Sequence, residues 1–369
     1  MSVQVSYKKQ ITLGICLMLI LMIVVESVLQ INSILFLEEC DFIGKDVFDD
    51  WSLEKQKKIC LENNSIQYNQ DHILLLEPNQ QFETISINSH GFRGDEISDE
   101  KNEDYRIIII GGSTVFGAGS SSDQTTIPAY LEEFFKQSNF ESNIEIINGG
   151  IPSAYSYTEE YLMKNSIVNL KPDLVIVYDG GNDAAGRYVE EYKIPGIANV
   201  KKESLSFFDT IKQFVLNVDY KTPIVITQII SGIGSNFPID DVTKKKTVES
   251  WENRLENICE HNEINGISTI IAIQPLVGNG EKPLSKDELA IVKSEKHKET
   301  FLIREEMSKS VDKLSETCDV VVDLKNIFDN VDEPIFYDHV HTSDKGNYII
   351  SERIFEKSLP VVLDSITVL

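Results

Sequence analysis

The sequence predicts an α/β domain in three layers, a parallel β-sheet covered by helices on both faces. Three observations predict it. The run Ile107–Ile110 is continuous β-branched sequence that stops abruptly at Gly111-Gly112-Ser113. Such a run suits a strand buried on both faces, and the glycines let the chain turn without a Cβ clash. Two further apolar strands end in glycine pairs, Glu145–Gly150 and Asp173–Gly181. Helical stretches separate them, giving strand 106–110, helix near 124–137, strand 143–147, helix near 157–168 and strand 173–178. This alternation is that of βαβ units, whose crossovers lay helices on a parallel sheet.

Beyond the third strand the rhythm weakens. Residues 184–240 carry Tyr188, Tyr192, Phe207, Phe208 and Phe214, read either as helices covering the sheet or as the wall of a substrate cleft. Core packing is the simpler reading for most of these aromatics. A long amphipathic helix around 242–262 leads into the strand Ser268–Ile273, which ends at Gln274-Pro275. The mixed-charge run 281–316 reads as mostly solvated helix, followed by the strand Val320–Leu324. No internal repeats occur.

The 369-residue chain carries a formal charge of −25, which argues against a nucleic-acid partner, since such binding needs a basic face. Near the N-terminus, Lys8 and Lys9 precede an uncharged apolar run from Ile11 to Val25. Extended through Glu26 to Ile31, it reaches the ~20 residues that span a bilayer. Lysines before the run and Glu38, Glu39 and Asp41 after it favour a cytoplasmic N-terminus. The expected organisation is therefore a cytoplasmic tail (1–10), a transmembrane signal anchor (11–31), an appendage and linker (32–104) and the α/β domain (105–369) outside the cytoplasm. A signal peptide cleaved after Ser27 is the rival reading, although no Ala-x-Ala site is present. Cys16 lies in the apolar run, leaving Cys40, Cys60, Cys259 and Cys318 outside it. Cys259 and Cys318 each end a helix just before a strand, so two neighbouring parallel strands would bring them close. A bridge in an oxidising compartment and two unpaired buried thiols both remain open. Asn63-Asn64-Ser65 is a glycosylation sequon, meaningful only in a host that glycosylates exported proteins.

A serine just past a buried strand sits at the carboxyl edge of the sheet, where open α/β folds bind their ligands. Ser113 stands there, followed in order by Gly149-Gly150, by Gly180-Gly181-Asn182-Asp183, and by Asp338 three residues before His341. These blocks resemble those of the SGNH/GDSL hydrolase superfamily: a Gly-x-Ser turn, a glycine after the second strand, Gly-x-Asn-Asp, and Asp-x-x-His. The resemblance covers about residues 105–358. It departs from the pattern at Gly112, where many relatives carry Asp. It implies a flavodoxin-like SGNH fold and a serine esterase without cofactor or metal. Ester cleavage by serine needs a base, a group to hold that base, and donors aimed at the developing oxyanion. The resemblance assigns Ser113 as nucleophile, His341 as base and Asp338 as its orienting carboxylate. The oxyanion hole falls to the Ser113 N–H, the Gly150 N–H and the Asn182 amide.

Each residue also has a plainer use. Asn182 suits a helix cap, and Asp183 suits a helix start or a fold-stabilising carboxylate. His339 competes with His341 for the base. His72, His90, His261 and His297 read as solvated or core histidines, with no metal-ligand spacing among them. The segment Asn88-Ser-His-Gly-Phe-Arg-Gly94 resembles one found ahead of the catalytic domain in membrane-anchored SGNH proteins. Its Arg93 reads as a salt bridge that docks the appendage, or as a contact to an acyl or sugar group.

The expected substrate is an acylated small molecule, glycan or lipid, with the membrane met through the N-terminal helix. An O-acyltransferase with the same triad, using a sugar hydroxyl in place of water, is the second reading. An inactive polysaccharide-binding or assembly module is the third, opposed by the intact Ser113, Asp338 and His341. A nucleotide-binding Rossmann domain fails because no Gly-x-Gly-x-x-Gly follows the first strand.

Overall fold

The structure, a computed structural model, describes residues 6–35, 42–68, 75–98, 101, 105–138, 143–186 and 240–367. The aromatics between Tyr188 and Phe214, Cys40, His72 and most of the acidic linker at 99–104 lie outside the described residues. The chain divides into two compact units; of the described residues, 6–35 fall in the first and the rest in the second.

In the first unit, helix α1 (Tyr7–Leu35) has 29 residues, about 43 Å at the α-helical rise. Its segment Tyr7–Val24 is long and apolar enough to cross a membrane, and its side chains are exposed.

The second unit opens with helix α2 (Leu53–Ser65), capped by the Ser52 hydroxyl, which accepts from the Lys55 N–H. A short antiparallel pair follows, β1 (Gln80–Gln81) and β2 (Ser86–Ile87). Among the described residues the main sheet holds five parallel strands: β3 (Tyr105–Gly111), β4 (Ile144–Gly150), β5 (Leu174–Asp179), β6 (Ser268–Ile273) and β7 (Val320–Asp323). Their order across the sheet is β4-β3-β5-β6-β7. The chain leaves from the middle in both directions, so its switch point lies beside β3.

The four isoleucines of β3 show why the sheet is covered twice. Side chains alternate along a strand, so Ile108 and Ile110 join one apolar core while Ile107 and Ile109 join the other. The first core is closed by α5 (Ser156–Asn165) and α7 (Asp241–Ile264), through Leu162, Met163, Trp251 and Leu255. The second is closed by α4 (Ile127–Gln137) and the last helix, α11 (Asp344–Thr367), through Leu131, Phe135, Ile350 and Ile354. Each buried isoleucine contributes about 1.5–3 kcal/mol relative to an exposed one.

Register then aligns the strand ends. Gly111 of β3 sits opposite Gly150 of β4 and Tyr178 of β5, so three turns leave the sheet side by side. The turn after β3 becomes the one-turn helix α3 (Ser113–Phe116), and the turn after β5 becomes α6 (Gly181–Gly186).

The charged run 281–316 differs from its expected form as mostly solvated helix. It breaks into α8 (Lys286–Val292), α9 (Lys298–Met307) and α10 (Val311–Leu314), and it buries two of its charges completely. Arg304 donates to the carbonyls of Ile273 and Gln274, at and just past the end of β6, and pairs with the Asp323 carboxylate at the end of β7. Glu288 pairs with Lys282 at 2.9 Å and accepts the N–H groups of Ile335 and Phe336, fixing the approach to Asp338. Each of these buried charges is matched by an opposite charge and by backbone groups.

Cys259, at the end of α7, bonds to Cys318, just before β7. Cys60 is also disulfide-bonded. Cross-linking residues 59 apart should add about 4 kcal/mol to the unfolding free energy by chain-entropy reasoning. The variant Cys259→Ala/Cys318→Ala should therefore unfold at lower denaturant concentration than the oxidised wild type. Equal midpoints would show that the bridge adds no stability.

Candidate active site

Gly112 caps the start of α3, and Ser113 is the first residue of that helix. A Cβ on Gly112 would lie 2.5 Å from Asn182 Nδ2 and 3.4 Å from the Ala154 carbonyl oxygen. The turns after β3, β4 and β5 therefore meet at the residue before Ser113. The C-terminal block reaches the same place from the other end of the domain. Ser113 Oγ lies 2.6 Å from His341 Nε2, and His341 Nδ1 lies 2.7 Å from Asp338 Oδ2.

Asp338 is fixed by its own turn. Its Oδ1 accepts the N–H groups of Val340 at 2.8 Å and His341 at 2.7 Å. Burial alone would raise this carboxyl, but the His341 imidazole beside it, its hydrogen bonds and nearby His339 together hold it well below the usual carboxylate range. An ionised carboxylate only accepts, so the neutral imidazole carries its proton on Nδ1 and presents Nε2 as acceptor to the serine hydroxyl. Tyr337 lies flat on the imidazole, with ring centroids 5.3 Å apart and planes inclined by 6°. Its hydroxyl donates to the Ala118 carbonyl, and Phe42 and Phe48 pack against its ring.

Further bonds stitch the two loops together. Asp344 Oδ1 accepts the Ser121 N–H, and Asn347 Nδ2 donates to Ser120 Oγ and the Thr125 carbonyl. Thr342 in turn donates to Asn347 Oδ1.

His339, the rival for the base, faces elsewhere. Its ring stacks on His297 with centroids 4.1 Å apart, and burial pushes its pKa down to about 4. His261 lies on α7, where Asn265 donates to its carbonyl, and His72 lies outside the described residues.

Among the expected oxyanion donors, Asn182 donates one amide hydrogen to the Ala154 carbonyl at 2.6 Å and keeps a second to offer. It lies within the first turn of α6 and makes this long-range bond rather than capping the helix. Gly150 departs from its expected role. Its N–H donates to Asn148 Oδ1 at 3.0 Å. The position is glycine for another reason: a Cβ would lie 2.0 Å from the Phe116 nitrogen, where α3 crosses the end of β4. Three residues on, Ser153 holds φ at 67°, a left-handed conformation costly for a residue with a side chain. Its neighbour Ala154 accepts from Asn182. Because Ser153 is not glycine, no residue-type signal marked this strained turn.

A serine hydroxyl aimed at an imidazole that a carboxylate holds, on the carboxyl edge of a parallel sheet, is the equipment of a serine hydrolase. The GDSL-like lipase/acylhydrolase family matches residues 107–354. The chain belongs to this family, and it is an ester-bond hydrolase. Solved structures to which the chain is similar include a G-D-S-L family protein from Desulfitobacterium hafniense DCB-2, 16% identical, covering 69% of this chain and 99% of that one, with TM-score 0.39. The acetyl xylan esterase AlAXEase is 15% identical over 68% of this chain and 98% of its own, with TM-score 0.41. A variant of Axe2, an acetylxylan esterase from Geobacillus stearothermophilus, is 15% identical over 70% and 95%, with TM-score 0.40. A search of curated proteins finds no match.

Behind the Asn182 turn lies a cluster of buried acids. Asp183 accepts from the N–H and hydroxyl of Ser156 at 2.9 and 2.6 Å, the fold-stabilising use of this carboxylate, with Arg254 3.6 Å away. Asp179 accepts from the Trp251 indole N–H. Glu159, on α5, is 1% exposed, and neither carboxyl oxygen has a hydrogen-bond partner. Burial, with Asp179 and Asp183 nearby, pushes its pKa well up, so the folded protein keeps it protonated. Its contribution to stability is therefore whole below the unfolded value of about 4.3 and is lost as pH rises towards its folded value. Glu159→Gln should remove that loss. Its stability relative to wild type should rise with pH above about 5, by up to ~1.4 kcal/mol per pH unit. A pH-independent difference in denaturation midpoints would show that Glu159 ionises alike in both states.

Proposed function

We propose that the chain is a membrane-anchored, extracytoplasmic serine esterase that works through an acyl-enzyme. The supporting observation is the line of hydrogen bonds from Asp338 Oδ2 through His341 to Ser113 Oγ, at 2.7 and 2.6 Å. In this reading Ser113 Oγ attacks the ester carbonyl as His341 Nε2 takes its proton. Asp338 holds the ring and stabilises the imidazolium. The same proton passes to the departing alcohol oxygen, leaving the acyl group on Ser113. Water then attacks, His341 accepts its proton, and the serine hydroxyl is restored as the acid leaves.

The oxyanion in both halves is met by the Ser113 N–H, a first-turn helix amide, and by the free hydrogen of the Asn182 amide. The Ser153 N–H takes the place expected of Gly150, whose N–H is already engaged within its own strand.

Lys8 and Lys9 before the apolar helix support a catalytic domain outside the cytoplasm. The Cys259–Cys318 bridge suits an oxidising compartment. The anchor at 11–31 would hold the domain of 105–369 near a surface, which favours O-acyl groups on surface glycans or lipids as substrates.

Ser113→Ala should stay folded and lose turnover by on the order of 10⁴-fold or more, measured on a small activated ester. Retention of more than about a tenth of wild-type kcat would exclude Ser113 as nucleophile. The two histidines separate as sharply. His341→Gln should lose turnover with little change in stability, whereas His339→Gln should stay active. An inactive His339→Gln beside an active His341→Gln would reverse the assignment of the base.

A further inference from the structure

Arg93 is the most enclosed charge of the segment that precedes the first catalytic strand. Its guanidinium is buried, and all three nitrogens are used. Nε donates to Asp123 Oδ1 at 2.8 Å, and Nη2 donates to the Thr84 carbonyl at 3.1 Å. Nη1 donates to the carbonyls of Phe116 and Gly117, at 3.1 and 2.9 Å. The guanidinium carbon also lies 5.0 Å from the centroid of the Phe116 ring. The two carbonyls that Nη1 holds close the C-terminal end of α3, the helix that begins at Ser113.

We propose that Arg93 is a positioning residue that fixes Ser113 by gripping the far end of its one-turn helix. The proposal rests on the reading of Ser113 as nucleophile. A helix of four residues has no slack between its ends. The N–H groups of Gly117 and Ala118 both return to the Ser113 carbonyl, each at 2.9 Å, and that of Phe116 returns to Gly112, so of the two residues Arg93 holds one is bonded directly to the serine and the other to the residue before it. A cation at the carbonyl end of a helix is also favoured electrostatically.

Docking of the segment has separate support. Asp123 Oδ2 accepts from the N–H and hydroxyl of Ser86, and Ile66, Leu76, Ile85 and Ile87 form an apolar cluster with Phe116. An arginine serving only as an attachment would need its bond to Asp123. The paired carbonyl bonds are in addition, and a lysine ammonium, a point charge, cannot reproduce that fork.

The test compares wild type, Arg93→Lys and Ser113→Ala as full-length proteins, with p-nitrophenyl acetate as substrate and thermal unfolding measured in parallel. Arg93→Lys should remain folded and lose roughly 10- to 100-fold in kcat, the scale of a misplaced reacting group. Its KM should stay within about twofold, because the ester-binding surface is untouched. Wild-type kcat in folded Arg93→Lys would overturn the proposal and leave Arg93 as a docking residue. Equal losses in kcat and unfolding midpoint, with the catalytic rate per folded molecule unchanged, would overturn it too. If Arg93→Lys does not fold, Asp123→Asn decides, since it loosens the Nε contact and leaves the carbonyl bonds in place. A kcat within about twofold of wild type in folded Asp123→Asn supports the proposal there, and a roughly 10- to 100-fold loss overturns it by tying catalysis to docking rather than to the grip on the carbonyls. Turnover retained by Ser113→Ala would instead mark failure of the nucleophile reading on which the proposal stands.

Discussion

The hydrogen bond between Ser113 Oγ and His341 Nε2 joins residues 228 apart in sequence, and much of the second unit serves to hold it. Its two ends arrive by different routes. Ser113 is set by the end of β3 and by the single turn of α3. His341 is set by a loop that Glu288 grips at residues 335 and 336, that Asp338 folds back on itself, and that leads directly into α11. The link from Asn347 to Ser120 and Thr125, with that from Asp344 to Ser121, ties the loop after His341 to the loop after Ser113. An oxygen–nitrogen bond of this length tolerates little drift, so the bracing on both sides matters as much as the two residues themselves.

The frame of this arrangement was legible in the sequence because it is periodic. Four β-branched residues in a row require two covers, and Ile107 to Ile110 divide between two cores. The glycine turns marked the strand ends, and the spacing of Asp338 and His341 marked one folded loop. For Cys259 and Cys318 the sequence left a bridge and two free thiols both open, and the structure shows the bridge.

What the sequence hid were contacts made across the fold by residues whose type has two common uses. Glycine at 150 admits either an approaching ligand or an approaching backbone, and here the Phe116 amide of α3 fills the space. Arg304 and Glu288 sit in a run of mixed charge that resembles a solvated surface. Their burial depends on carbonyls and amides contributed by segments 30 to 48 residues away. Arg93 was legible as an anchor, yet its grip on the Phe116 and Gly117 carbonyls appears only once the two segments are brought together. Glu159 and Asp179 place buried acids beside the Asn182 turn, a cost in stability borne next to a site that needs that turn held firmly.

The central claim is that the ester's acyl group passes through Ser113. Acid quenching of wild-type protein during turnover of p-nitrophenyl acetate, followed by mass spectrometry of its peptides, tests this most directly. The account predicts a single acetyl group on the peptide containing Ser113, appearing before steady state and lost when substrate is exhausted. Acetyl on another residue with kinetics that match turnover would contradict it. So would steady turnover, faster than quenching can miss, with no acetylated peptide at all.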